Sequence, residues 1–181
     1  MNRYVKEALF GAIGGIAGTF VIQQAMAGIS KLQSEEDKKR ERQLVREQPP
    51  QKLARRIAEN VGGVEIDADT KATMGTAIQW SYGIVWGGIY GILRKQFPAI
   101  SWGAGLPFGV AFGLFGPGVL LPLMDLTPAA RRFPLSAHGR GIVSHYAYAA
   151  AVEGVCRGCE AVEQALTQQP MRTKPELRQV S

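Results

Sequence analysis

His145 is the residue of this chain best suited to chemistry. It opens a stretch of small and aromatic residues, Gly141 to Gly158, that also holds Tyr146, Tyr148, Glu153 and Arg157. An imidazole titrates near neutral pH and can relay a proton. An ionisable group inside an apolar helix is a functional hypothesis by default. Glu153 follows eight residues later, about 12 Å along a helix axis, on the same broad side but beyond direct contact. Tyr148, with Tyr82 and Gln79 from an earlier segment, supplies further polar groups for a path. The plainer reading is that His145 hydrogen-bonds a backbone carbonyl or Gln79 and fixes helix packing, as polar residues between apolar helices often do.

Cys156 and Cys159 form a lone C-x-x-C. A redox pair of this kind gains from the positive end of a helix dipole. Here it lies toward the end of a helical stretch, where the dipole opposes a thiolate. As metal ligands the two supply half of the four that zinc takes, and His138 lies across the helix. The glycine runs are not phosphate loops, since no strand precedes them and no Gly-Lys-Ser or Gly-Lys-Thr follows. No nucleophile stands beside a base at useful spacing. The expectation is a protein without enzymatic activity, cofactor or metal.

These residues must be positioned by long apolar elements. The chain has 181 residues, and charged residues make up 20% of it. Its mean hydropathy of -0.04 hides a sharp partition. No charged residue occurs from Ala8 to Ser30, from Ala72 to Leu93, or from Gln96 to Met124. Uncharged apolar runs of about 18 residues or more read as transmembrane helices. The spans are placed at about 5–27, 72–93 and 102–124, with a more polar fourth at 141–158 that crosses if partners shield its polar face. A net charge of +6 and a pI of about 9.5 suit basic flanks beside lipid headgroups. No zinc-finger or aromatic RNA-binding pattern accompanies them, which argues against nucleic acid. The fold class is all-α, a polytopic membrane helix bundle.

Each span carries glycines at four-residue spacing: Gly11 and Gly15, Gly14 and Gly18; Gly83, Gly87 and Gly91; Gly105, Gly109 and Gly113. Such stripes let another helix approach closely. Pro117, between Gly116 and Gly118, predicts a kink in the third span, or else a break of the kind that lines transporter sites. The first span has a rival reading. A basic start, an apolar stretch and Ala25-Met26-Ala27 before Gly28 also suit a cleaved signal peptide. Against it stand the glycines and Glu7.

Residues 31–71 form a polar, partly helical interval. Ser34 and the acids after it predict a helix start, which Pro49-Pro50 interrupts. Leu53, Ile57 and Val61 then recur every four residues. That amphipathic stretch lies on the membrane surface or packs on the end of the bundle, until Gly62-Gly63 ends it. Residues 1–166 make one membrane domain, and 167–181 are a polar, disordered tail.

Phe97-Pro98, Trp102, Gly105-Leu106, Gly109, Pro122-Leu123-Met124, Leu126-Thr127-Pro128 and His145 at the opening of the last helix together resemble the YagU-type family of bacterial inner-membrane proteins. The similarity is clearest from Gln79 to Gly158. The Pro49-Pro50 to Glu59 stretch is also similar to a proline-then-basic-helix element of related small membrane proteins. The resemblance implies about four membrane helices in the inner membrane and cytoplasmic termini. It implies no activity. Such proteins tend to carry an acid shortly before the histidine, and Arg140-Gly141 has none.

Two functions follow. One is a structural or accessory membrane protein whose glycine stripes bind a partner helix or a second copy. The other is a small channel or transporter, proton-linked through His145 and Glu153, with the Pro117 break along its path.

Overall fold

The computed structural model describes residues 2–168, and these are all-helical, with no strand among them. The polar tail expected from residue 167 lies outside the described residues from 169 onward. Seven α-helices follow one another: α1 Arg3–Ser30, α2 Glu35–Leu44, α3 Pro49–Ile57, α4 Ala68–Gln96, α5 Trp102–Phe115, α6 Leu121–Leu123 and α7 Leu135–Thr167. Four of these, α1, α4, α5 with its continuation, and α7, build the body. All but α5 run longer than the hydropathy pattern predicts.

Local chemistry explains the ends. Asn2 caps α1 by accepting from the Tyr4 amide. Ser34 caps α2, whose first turn is acidic. Asp67 caps α4 by accepting from the amides of Asp69 and Thr70. Each side chain satisfies amides that have no partner inside their own helix. Pro49 and Pro50 begin α3, where a missing N–H costs nothing. The helical chain continues through a π-turn, Ala58–Gly62, and stops at Gly63, whose φ of 62° is left-handed. Ala54 of α3 is buried and Gln51 sits over Gly75 of α4, while Ile57 and Val61 face outward. The amphipathic stretch therefore packs on the bundle end and keeps two apolar side chains free.

The third apolar segment is neither simply kinked nor broken. It enters through a left-handed turn at Gly103, Ala104 and Gly105, then runs helical to Phe115. At Gly116–Leu120 the hydrogen-bond register widens to a π-turn around Pro117, and helix resumes at Leu121. Proline has no amide hydrogen and its ring crowds the preceding turn; the wider register relieves that crowding.

The packing is antiparallel and centred on glycine. α1 lies between α4 and α7. A methyl group at Gly11 would fall 2.1 Å from the Gly87 carbonyl oxygen, and one at Gly15 would fall 2.5 Å from that of Gly83. On the neighbouring face of α1, Gly14 meets Val152 and Gly18 meets the Tyr148 ring. α5 lies on α7 in the same manner, Gly105 on Ala149, Gly109 on Tyr146 and Gly113 on His145. Every glycine of the predicted stripes therefore faces a helix of its own chain. These stripes are occupied by helices of the same chain.

The interior combines an aromatic cluster of Tyr90, Phe108, Phe112 and Tyr148 with small and polar residues, among them Glu7, Thr19, Ser144, His145 and Glu153. Large apolar side chains face out, including Leu9, Ile13, Ile16 and Phe20 of α1, Val85, Leu114, Val119 and Val143. Two helical stretches, Arg3–Ser30 and Pro98–Leu123, are long and apolar enough to cross a membrane. One end of the bundle holds residues 2 and 168 (the terminal end). The other holds α2, α3 and the 124–134 loop (the interval end).

Candidate functional site

A cavity of about 980 Å³ opens in the interval half of the bundle. Its lining runs along α1 from Ser30 down to Thr19, along α4 from Ala72 to Gly83, and along α7 from Ala137 to Tyr148. The π-turn at Gly116–Leu120 forms another wall, and α2 and α3 border the mouth. From Ser30 to Thr19 the depth is about 16 Å at the helical rise per residue. The chamber thus reaches roughly half way along the bundle, and its lining on α1 and α7 extends no deeper than Thr19 and Tyr148.

Its floor is made of Thr19, Tyr82, Gly83, Phe112, His145 and Tyr148. The polar groups there are mostly tied to backbone carbonyls. The Tyr148 hydroxyl donates to the Gly83 carbonyl at 2.6 Å, and the Thr19 hydroxyl to that of Gly15 at 2.7 Å. Gly83 is required here, since a methyl group on it would lie 1.9 Å from Thr19 Oγ1. His145 Nδ1 lies 2.7 Å from the Gly141 carbonyl. A carbonyl only accepts, so Nδ1 carries a proton, and when the ring is neutral Nε2 is left as a lone pair. The Phe112 ring stands edge-on to the imidazole, centroids 5.0 Å apart. Gln79, exposed on the chamber wall, makes no hydrogen bond to His145 among the described residues.

Below the floor lies an aromatic plug. Trp86 packs on Phe112 at 5.0 Å and Tyr90 on Phe108 at 4.8 Å. Beyond it, toward the terminal end, is Glu153, 1% exposed. Its carboxylate accepts from the Tyr90 hydroxyl at 2.8 Å, from Arg94 Nε at 2.8 Å and Nη2 at 3.1 Å, and from Arg157 Nε at 2.6 Å. Glu160 bridges Arg94 and Lys95, and Lys6 pairs with Glu163. These contacts clamp α1, α4 and α7 together. Glu7 is buried beside them with Oε2 unpartnered.

The structure therefore divides the residues that the sequence placed on one path. His145, Tyr148 and Gln79 belong to the chamber. Glu153 does not, and the plug stands between. Thr19 escaped sequence reading because it carries no distinctive signal, and Gly83 was read only as one member of a packing stripe. Arg94 was legible as the stop of a span but not as the partner of Glu153; a lone buried acid in one apolar helix and a base at the end of another are the signal for such a pair. Cys156 is buried beside Tyr90 and Tyr148, and Cys159 is partly buried; both thiols are free.

At the interval end Arg140 binds both Glu41 and Gln33, and Ser136 donates to Asp37 at 2.6 Å, which fastens α2 to α7. Glu41, on another helix, is thus the acidic partner of Arg140. Arg55 holds the Glu47 carboxyl below its ordinary range. Arg56, with help from Lys52, does the same to Asp125 in the loop that leads to α7.

An all-helical bundle with a filled glycine interior, an apolar outer face and two helical stretches fit to cross a membrane defines the class. Within it, the chain belongs to the family described as "Protein of unknown function (DUF1440)", matched over residues 26–154. That span runs from the end of α1 to just past Glu153 and includes most of the chamber lining. No curated protein and no solved structure matches the chain.

Proposed function

We propose that this is a four-span protein of the bacterial inner membrane, YagU-type as its motifs suggest, whose work is done by ligand binding in the blind chamber, as in a carrier. α1, α4, α5 with its continuation, and α7 are the spans. The observation that carries this reading is the chamber itself, with Gln79, His145 and Tyr148 on its surface and a wall formed by the widened turn at Pro117. The accessory reading has lost its attachment surface, because the glycine stripes are used within the chain. An open pore is disfavoured by the aromatic plug. Enzymatic chemistry is disfavoured because the Thr19 and Tyr148 hydroxyls of the floor are bound to carbonyls and Glu153 lies beyond the plug. The apolar outer face supports burial of the bundle in hydrocarbon, where helices must satisfy their own backbone groups. α1 is the central helix, which supports its retention as a span rather than its loss as a signal peptide.

The test is cysteine labelling in membranes, after Cys156→Ala and Cys159→Ala. A Gln79→Cys variant should react with a membrane-impermeant maleimide from one side only, and that side fixes the orientation of the termini. Ala149→Cys, at a position with no exposure, should not react. If a Lys39→Cys variant labels while Gln79→Cys stays unreactive from both sides, the chamber is closed and the reading fails.

A further inference from the structure

The chamber combines three features. Its walls are largely apolar, with Ile22, Met26, Ile78 and Leu120 among the lining residues. Two of its three floor hydroxyls, those of Thr19 and Tyr148, are occupied by backbone carbonyls, so the polarity offered at depth is limited to His145 Nε2 and the Tyr82 hydroxyl. Its mouth is cationic. Lys38, Arg42 and Arg140 line it, with His138 alongside, and Glu41 is the one carboxylate among the lining residues. Arg140 already engages that carboxylate, and Lys38 pairs with Glu35. Arg42 is exposed and forms no ion pair among the described residues, and neither do Arg131 and Arg132, which adjoin the lining at Ala130 and Phe133.

We infer that the chamber takes a single-chain anionic amphiphile, its acid group at Arg42 and its chain directed toward Phe112 and His145. The inference rests on the chamber reading above and names its ligand class. Three arguments converge. The depth of about 16 Å equals half of a hydrocarbon core about 30 Å thick, so a group held at the mouth stands at headgroup level while its chain reaches the floor. A volume of about 980 Å³ lies at the upper end of the roughly 300–1,000 Å³ typical of small-molecule sites, which suits one chain with its head. The charge at the mouth selects an anion, and guanidinium matches carboxylate or phosphate through paired N–H donors. A cationic or neutral amphiphile of equal chain length fills the same walls without that contact.

Native mass spectrometry of the full chain in a neutral detergent tests this with three probes of one chain length: oleate, oleylamine and oleyl alcohol. The expected result is one oleate retained per chain, at least tenfold more tightly than either of the others. Arg42→Gln should weaken oleate retention about fivefold or more. Gln79→Trp, which fills the chamber above the floor, should abolish it while the helical circular dichroism is unchanged. Equal retention of all three probes overturns the proposal, as does indifference to both substitutions. A copurified two-chain phospholipid that oleate cannot displace overturns it as well. Failure of the ligand class and failure of the chamber are separable. If the Gln79→Cys variant labels but oleate is not retained, the open chamber stands and the amphiphile is removed. If that variant never labels, both fall.

Discussion

At the scale of single residues, Glu153 and His145 look alike in the sequence and behave differently in the fold. Both are ionisable groups in a marginal apolar helix. Glu153 is enclosed by three donors' side chains, and Arg94 beside it is itself only 8% exposed at its side chain. Removing the carboxylate leaves Arg94 buried with only Glu160 to answer it, and breaking such a pair costs about 3–5 kcal/mol. Glu153→Ala should therefore lower stability by that order in reversible unfolding from detergent, and Arg94→Ala added to it should cost much less than it does alone. His145→Ala has a different consequence. It loses a ring contact and a bond to a carbonyl that belongs to its own helix, so the bundle should assemble and run at wild-type size by size-exclusion chromatography while ligand retention in the chamber changes. If assembly is lost, His145 is glue and not part of a site. The identity of His145, Tyr148 and Gln79 as a group was legible from residue type and segment. The exclusion of Glu153 was not, because two helical turns of separation do not reveal that an aromatic plug lies between.

At the scale of elements, glycine spacing located the close contacts of α1 with α4 and α7 and of α5 with α7 but left the partner open, and it missed Gly75 beneath Gln51. A four-residue stripe states that something approaches; it does not state whether that is α4, α7 or another molecule. The structure answers with backbone on both sides. A methyl group at Gly87 would lie 2.3 Å from the Gly11 carbonyl oxygen and 2.6 Å from the Gly15 Cα, so α1 and α4 would have to separate. Gly87→Ala should cost about 1–3 kcal/mol, the usual penalty of overpacking. Gly154→Ala, one turn of α7 from the same core with nothing within 4 Å of the added methyl, should be neutral or slightly stabilising, because alanine is the better helix former. A comparison of the two in the same unfolding assay checks the argument; equal effects would show that the helices are not held at backbone contact. Some ends of elements were also legible, through Ser34 and Gly62-Gly63, whereas the Asp67 cap of α4 was not read. The loop contact between α3 and the 124–134 segment was not, since nothing in the sequence couples Arg56 to Asp125. Its signature is electrostatic. The hydrogen bond from Arg56 lowers the Asp125 pKa below its ordinary 3.8. A depressed carboxyl contributes what stability it has above 3.8 and loses it as pH falls through the lowered folded value. A carbon-detected titration of Asp125 should show a midpoint below 3.8, and Arg56→Ala should return it toward 3.8.

At the scale of the whole molecule, the distribution of side chains is the argument for its solvent. In water, folding removes large apolar side chains from the surface. Here Ile13 is 53% exposed and Phe20 57%, while Glu7 is 3% exposed. An outer face of this kind is an aggregation site in water and a contact surface in lipid. The two environments make opposite predictions for one substitution. Ile13→Lys places a charge mid-way along α1 on its outward face, with no partner helix to cover it. In a bilayer a lysine at helix centre costs about 2.5–3.5 kcal/mol for insertion alone. The same lysine on a water-facing surface would sit within about 0.5 kcal/mol of neutral and would raise solubility. Expression with membrane fractionation and carbonate extraction decides between them. The membrane-embedded bundle requires Ile13→Lys to lower the carbonate-resistant yield several-fold, while Lys39→Glu on the interval side leaves it unchanged. An Ile13→Lys protein that is abundant, monodisperse and free of detergent would place the bundle in water, and with it the chamber mouth, whose cationic rim has its meaning only at the level of a headgroup.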